Sequence, residues 1–175
     1  MAFAPASQSI SQRFAPVNAA LYAKEVILYL YRGMNSTMYK ELEGKLIPKK
    51  FGESFSSVPC AGDPHAECGS GIVAGDATIN EVIFHQWGQK GFPTSGISTT
   101  PNKERARFYA LSGGENTEGY IFKLSIENLK NENVSIHKVN ALVTNPSIPE
   151  DDEHILVAKD FLEIPKSAIV SIEKV

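Results

Sequence analysis

Hydrophobic and polar positions along the chain change their periodicity part-way through. Residues 17–25 carry a weak helical pattern. The compact apolar run 26–31, rich in β-branched and aromatic residues, predicts a buried strand that ends at Arg32 and Gly33. Ser36 opens a second helical stretch, with Met38, Leu42 and Leu46 at helical spacing. Residues 48–75 have little periodicity and many Gly, Pro and Ser, which predicts a long loop. Asp76 then caps a helix with Ile79, Val82, Ile83 and Trp87 on one face, ending near Gly88. A short strand over 96–99 follows. Thr100 and Pro101 begin another helix, since proline's missing N–H costs nothing at the first helical position; it runs through Arg105, Phe108 and Leu111 and stops at Gly113 and Gly114. Beyond that point the pattern is β. Tyr120, Phe122, Leu124 and Ile126 alternate with Ile121, Lys123 and Ser125, and further strands are predicted over 134–138, 153–157, 161–164 and 169–175. Helices early and strands late indicate an α+β domain with two packed sheets.

Composition narrows the class without naming it. The 175 residues suit one domain with a substantial core. A net charge of −3 argues against nucleic acid bound through a broad basic surface. No apolar run approaches the roughly 20 residues that span a membrane. The start of the chain lacks the basic and apolar regions of a secretory signal. Residues 1–16 read as a flexible leader, and 17–175 as a single domain expected to be monomeric. Cys60 and Cys68 are too few for a disulfide scaffold; they close one loop in an oxidising compartment or stay free thiols in a reducing one. With Asp63, His65 and Glu67 they offer zinc-ligand types, but the spacing fits no standard arrangement, so the segment is read as a loop.

Three short motifs, in order, carry the chemistry. Arg32 and Gly33 follow an apolar run, Ser98, Thr99 and Thr100 precede a helix, and Asp151, Asp152 and Glu153 lead into the apolar strand that starts at His154. Each alone has a plain explanation: a solvated strand end, a strand edge with a cap, an acidic turn. Together they resemble the Arg–Ser–Glu class of mono-ADP-ribosyltransferases, the group containing the cholera-like, pertussis-like and clostridial toxins. The resemblance implies an ADP-ribosyltransferase-like fold of two packed, mainly antiparallel sheets with flanking helices. It also implies NAD as substrate, an unidentified target protein as acceptor and no metal. A toxin or effector, secreted or delivered into a target cell's cytosol, is the setting it implies, with the leader belonging to the effector or left by excision from a longer toxin.

Cleaving the nicotinamide–ribose bond develops an oxocarbenium-like cation, as glycoside hydrolysis does. The resemblance assigns the NAD phosphates to Arg32, whose planar fork matches phosphate oxygens. Gly33 is expected to let the ligand approach the backbone. Ser98 would orient the catalytic carboxylate of Glu153, which opens its strand and stabilises the cation. Thr99 would support the scaffold beside the nucleotide, Thr100 would cap the next helix, and Phe108 or Tyr109 would stack on the nicotinamide. Asp151, two positions before Glu153 in an extended segment, would share its face and address the acceptor. The acids 150–153 should repel one another and raise at least one pKa. The stretch 112–117 would form a loop near the phosphates, and 140–152 a target-recognition loop. A glycohydrolase using water as acceptor, and a binding module that no longer turns NAD over, are the alternatives.

Overall fold

The computed structural model describes residues 27–57, 77–87 and 93–175. The predicted helix over 17–25, the Asp76 cap and the Cys60–Cys68 segment lie outside the described residues.

Two three-stranded antiparallel sheets form the scaffold. The first has the order β1 (Tyr29–Asn35), β3 (Gly119–Ser125), β6 (Ile169–Lys174). The second has the order β2 (Ile97–Thr99), β5 (His154–Val157), β4 (Ser135–Lys138). The α+β class and the two sheets are as the pattern predicts. The sheets meet at one antiparallel bridge, where the Tyr31 N–H donates to the Thr100 carbonyl at 2.7 Å and the Thr100 N–H returns to Tyr31 at 2.9 Å.

Alternation along β1 explains which side chains lie between the sheets. Leu30 and Met34 are buried there with Phe122 and Leu124 of β3, Ile97 of β2 and Leu156 of β5. Arg32 shares their parity, so a guanidinium projects from the same strand face as this apolar core. The opposite face of the first sheet carries Ile121 and packs on Ala106 and Ala110 of α3 (Lys103–Ala110). Behind the second sheet, Ile155 and Val157 pack on Phe55, Val139 and Val82, the last from α2 (Thr78–Trp87).

Several boundaries differ from the sequence reading. The first strand runs through Asn35, so Arg32 and Gly33 lie inside it and not at its end. The helix after it, α1 (Ser36–Glu41), is capped by Asn35, whose side chain accepts from the Met38 N–H at 2.8 Å. It stops well before Leu46, with Glu43 and Gly44 both at positive φ. The α3 cap is Asn102, whose carboxamide oxygen accepts from Glu104 and Arg105. Thr100 is the sheet bridge instead. The expected strand over 161–164 is a bend followed by irregular backbone, with Phe161 at positive φ. Two short helices went unanticipated, α4 (Ile126–Asn131), capped by Ser125, and α5 (Val139–Leu142).

Candidate active site

A cleft of about 700 Å³ opens where the two sheets meet, a size usual for small-molecule sites. Arg32, Ser98, Thr99, Thr100, Asp151 and Glu153 all line it, joined by His85 and Gln86 from α2. The three motifs, far apart in the chain, therefore converge.

Glu153 precedes β5 by one residue and shares the parity of Ile155, which faces α2. Ser98 is the register partner of Ile155, so Ser98 and Glu153 come to the same side of the second sheet. On α2, Val82 seals the helix against Ile155. His85 and Gln86 follow three and four positions later, one turn along the same helix face. The Gln86 side chain donates from Nε2 to Glu153 Oε2. His85 Nε2 lies 2.8 Å from Ser98 Oγ and 3.5 Å from Glu153 Oε1, and its Nδ1 lies 2.5 Å from Thr94 Oγ1. Gly96 N–H in turn donates to Thr94 Oγ1 at 3.3 Å. His85 thus bridges the Thr94 and Ser98 hydroxyls and reaches the Glu153 carboxylate, joining Gly96, Thr94, His85, Ser98 and Glu153 in one polar chain.

Burial pushes the Glu153 carboxyl up, but hydrogen bonds from His85, Ser98 and Gln86 outweigh it and hold the group below the ordinary carboxylate value. This is opposite to the mutual repulsion expected of the acidic cluster. The cluster is spread out in space: Asp152, in a left-handed conformation, turns to Lys138 at 3.1 Å and Asn140 at 3.2 Å, while Asp151 turns to α3.

Arg32 is half-buried, and its Nη1 donates to the Ser98 carbonyl at 3.1 Å. Loss of hydration lowers the guanidinium's pKa, a change opposed by the charge of Glu153. It stands on a strand face flanked by Leu30 and Met34, not at a solvated strand end.

Asp151 departs from its expected place. It ends a 3₁₀ turn (Pro149–Asp151), not an extended segment, so alternation does not carry it to the face of Glu153. Both its carboxylate oxygens are engaged, one by Arg105 Nε at 2.5 Å and the other by the Tyr109 hydroxyl. Its carbonyl accepts from Thr100 Oγ1 at 2.6 Å. Burial, reinforced by the bond to Asp151, pushes the Tyr109 phenol up to about 12.

Three further residues take the following places. Gly33 lines the cleft with its backbone, but the space a Cβ would need is filled by α3: the Ala106 carbonyl oxygen would lie 1.9 Å away. The glycine is thus required for strand–helix packing. Phe108 is not among the cleft-lining residues. It is 46% exposed, with the Arg105 guanidinium 5.0 Å from its ring centre, and Tyr109 lines the cleft instead. Thr99 is buried, with its hydroxyl donating to the His154 carbonyl at 2.6 Å, which locks β2 to β5 beside the cleft. No group of three or more metal-ligating side chains occurs among the described residues.

His85, Gln86 and Thr94 were missed from the sequence. The signal available for His85 and Gln86 was their spacing from Val82 on a helix whose apolar stripe was recognised; Thr94 offered none.

The NarE family model matches residues 29–156, from the first residue of β1 to within β5. The chain belongs to the NarE family. The matched span covers every cleft-lining residue named above. A search among curated proteins found no significant match. No helix among the described residues of this NarE-family chain is long and apolar enough to cross a membrane.

Proposed function

We propose that the chain is an NAD-dependent mono-ADP-ribosyltransferase, which cleaves NAD and transfers ADP-ribose to a side chain of a target protein. The observation that carries the proposal is the Glu153 carboxylate, ionised at neutral pH and held by Ser98, His85 and Gln86 in a cleft that Arg32 also lines. Membership of the NarE family, described as ADP-ribosyltransferase-like, supports the same reading.

In this mechanism Arg32 pairs with the NAD pyrophosphate, offering a fork that its bond to the Ser98 carbonyl steadies. The bond between ribose C1′ and the nicotinamide nitrogen breaks, and its electron pair returns to the ring, which leaves as neutral nicotinamide. Positive charge grows on the ribose. A pre-ionised, hydrogen-bonded carboxylate stabilises that charge with little reorganisation as it forms. The acceptor nucleophile then bonds to C1′ and releases its proton to a base or to water.

A second reading has one observation in its favour. Asp151, the residue assigned to the acceptor, is tied up by Arg105 and Tyr109. An NAD glycohydrolase, with water as acceptor, needs no such residue. The resemblance to toxins extends the proposal to an effector that is secreted or delivered into a target cell. The test is incubation with labelled NAD and a host-cell lysate, followed by mass spectrometry of labelled proteins. Transfer predicts nicotinamide release with labelling of a discrete protein; release without labelling favours the glycohydrolase; absence of both contradicts either enzyme.

A further inference from the structure

We infer that Gln86 is a positioning residue that couples Glu153 to the segment 143–151, so that the hold on the carboxylate depends on where that segment sits. The inference rests on the transferase reading and adds a control of its central residue. The Gln86 carboxamide is bonded at both ends. Nε2 donates to Glu153 Oε2, and Oε1 accepts from the Ser147 N–H at 2.9 Å. The Ser147 hydroxyl also donates to the Gln86 carbonyl at 3.1 Å. A carboxylate accepts only and an N–H donates only, so the amide fits this gap in one orientation. Flipping it would set its oxygen against Glu153 and its NH₂ against an N–H.

The two ends differ in setting. Glu153 is held from several sides within the cleft, whereas the bonds from Ser147 are exposed. Ile148, the next residue, lines the cleft and is 40% exposed, so this segment is open to a protein docking at the mouth. Moving Ser147 away frees the Gln86 amide to turn and loosens one of the donors to Glu153. An acceptor that displaces the segment thereby changes the reactivity of the carboxylate before it reaches the ribose.

The test is a carbon-13 carboxylate titration of Glu153 by NMR in the full chain and in Gln86→Ala, Gln86→Glu and Ser147→Pro. It is paired with the pH profile of nicotinamide release. Ser147→Pro removes the N–H and the hydroxyl together. The other ionisable groups that act on Glu153 are His85 on α2, Arg32 on β1 and its neighbour His154 on β5, with Tyr109 of α3 facing Arg32; all remain in every variant. Gln86→Ala should raise the Glu153 midpoint by roughly one unit, the effect of one lost donor, and move the acid limb of kcat/KM upward with it. Gln86→Glu should raise it further, because a second carboxylate then faces the first. Ser147→Pro should raise it in the same direction. A merely structural role gives the reverse order, with the near-isosteric Glu closest to the parent. That order, or an unmoved midpoint in the Gln86 variants, overturns the inference, and an unmoved midpoint in Ser147→Pro alone overturns the link to the segment. If the parent chain releases no nicotinamide while the midpoints shift as expected, the coupling stands and the transferase reading falls.

Discussion

Arg32 stands on a strand face between Leu30 and Met34, both buried, and a charge in that company needs a partner or a purpose. Its partners are the Ser98 carbonyl and the field of Glu153. Arg32→Lys keeps the charge and loses the fork, so NAD affinity should fall about tenfold, the scale of one lost hydrogen bond to a charged group. Calorimetric titration in a Glu153→Gln background measures this without turnover, and an unchanged affinity would remove Arg32 from the phosphate site. Asp151 is a different kind of residue. Its two carboxylate bonds and its carbonyl bond join the turn before β5 to α3 and to Thr100. Asp151→Ala should therefore cost about 2 kcal/mol of stability and reduce NAD hydrolysis and protein labelling alike. Denaturant unfolding and the two assays separate the cases: loss of labelling alone would restore Asp151 to the acceptor. The identities of Arg32, Ser98 and Glu153 were legible in the sequence because their residue types and order carry a resemblance. The engagement of Asp151 was not, because Arg105 and Tyr109 reach it across more than forty positions and nothing local announces them.

At the scale of elements, the types of the longer helices and strands were legible from periodicity, whereas α4, α5 and the stretch 161–164 were not, and element ends were set by side-chain caps and close packing. Asparagine took the caps at Asn35 and Asn102 in place of the neighbouring Ser36 and Thr100, since its carboxamide reaches the second or third N–H of the helix. Thr100 was recruited instead to join the two sheets, a tertiary demand that no local pattern reveals. Gly33 shows the same limit: it lets α3 lie directly on β1, where the Ala106 carbonyl and the Ala110 N–H would both collide with a side chain. Backbone atoms cannot yield as a flexible side chain does. Gly33→Ala should lower stability by about 3 kcal/mol or more, at the upper end of overpacking costs. Unfolding at the parent's denaturant midpoint would show that α3 shifts freely and that the contact is not tight. His85 and Gln86 were hidden for a related reason: polar residues next to an apolar stripe look solvated until the sheet behind them is known.

For the whole molecule, the cleft lies at the junction of two sheets that share one backbone bridge, with Arg32 on the first and Ser98 and Glu153 on the second. A ligand spanning it ties both halves to the folded state. NAD at a hundred times its dissociation constant should stabilise the chain by about 2.7 kcal/mol, or roughly 5–10 °C for a domain of this size. Thermal unfolding of Glu153→Gln with NAD measures the shift, and Arg32→Ala should abolish most of it; no shift in either would mean that the cleft does not take NAD. The α+β class and paired antiparallel sheets were legible because late alternating strands have few other ways to bury one face. The convergence of the three motifs rests on strand register, which spacing along the chain does not encode. The central claim is that the Glu153 carboxylate drives nicotinamide departure by its charge. The most direct measurement is nicotinamide release by Glu153→Gln, which keeps the shape and the place beside Ser98 but removes that charge. The account predicts a fall of roughly a hundredfold or more with NAD affinity largely retained; release near the parent's rate would contradict it.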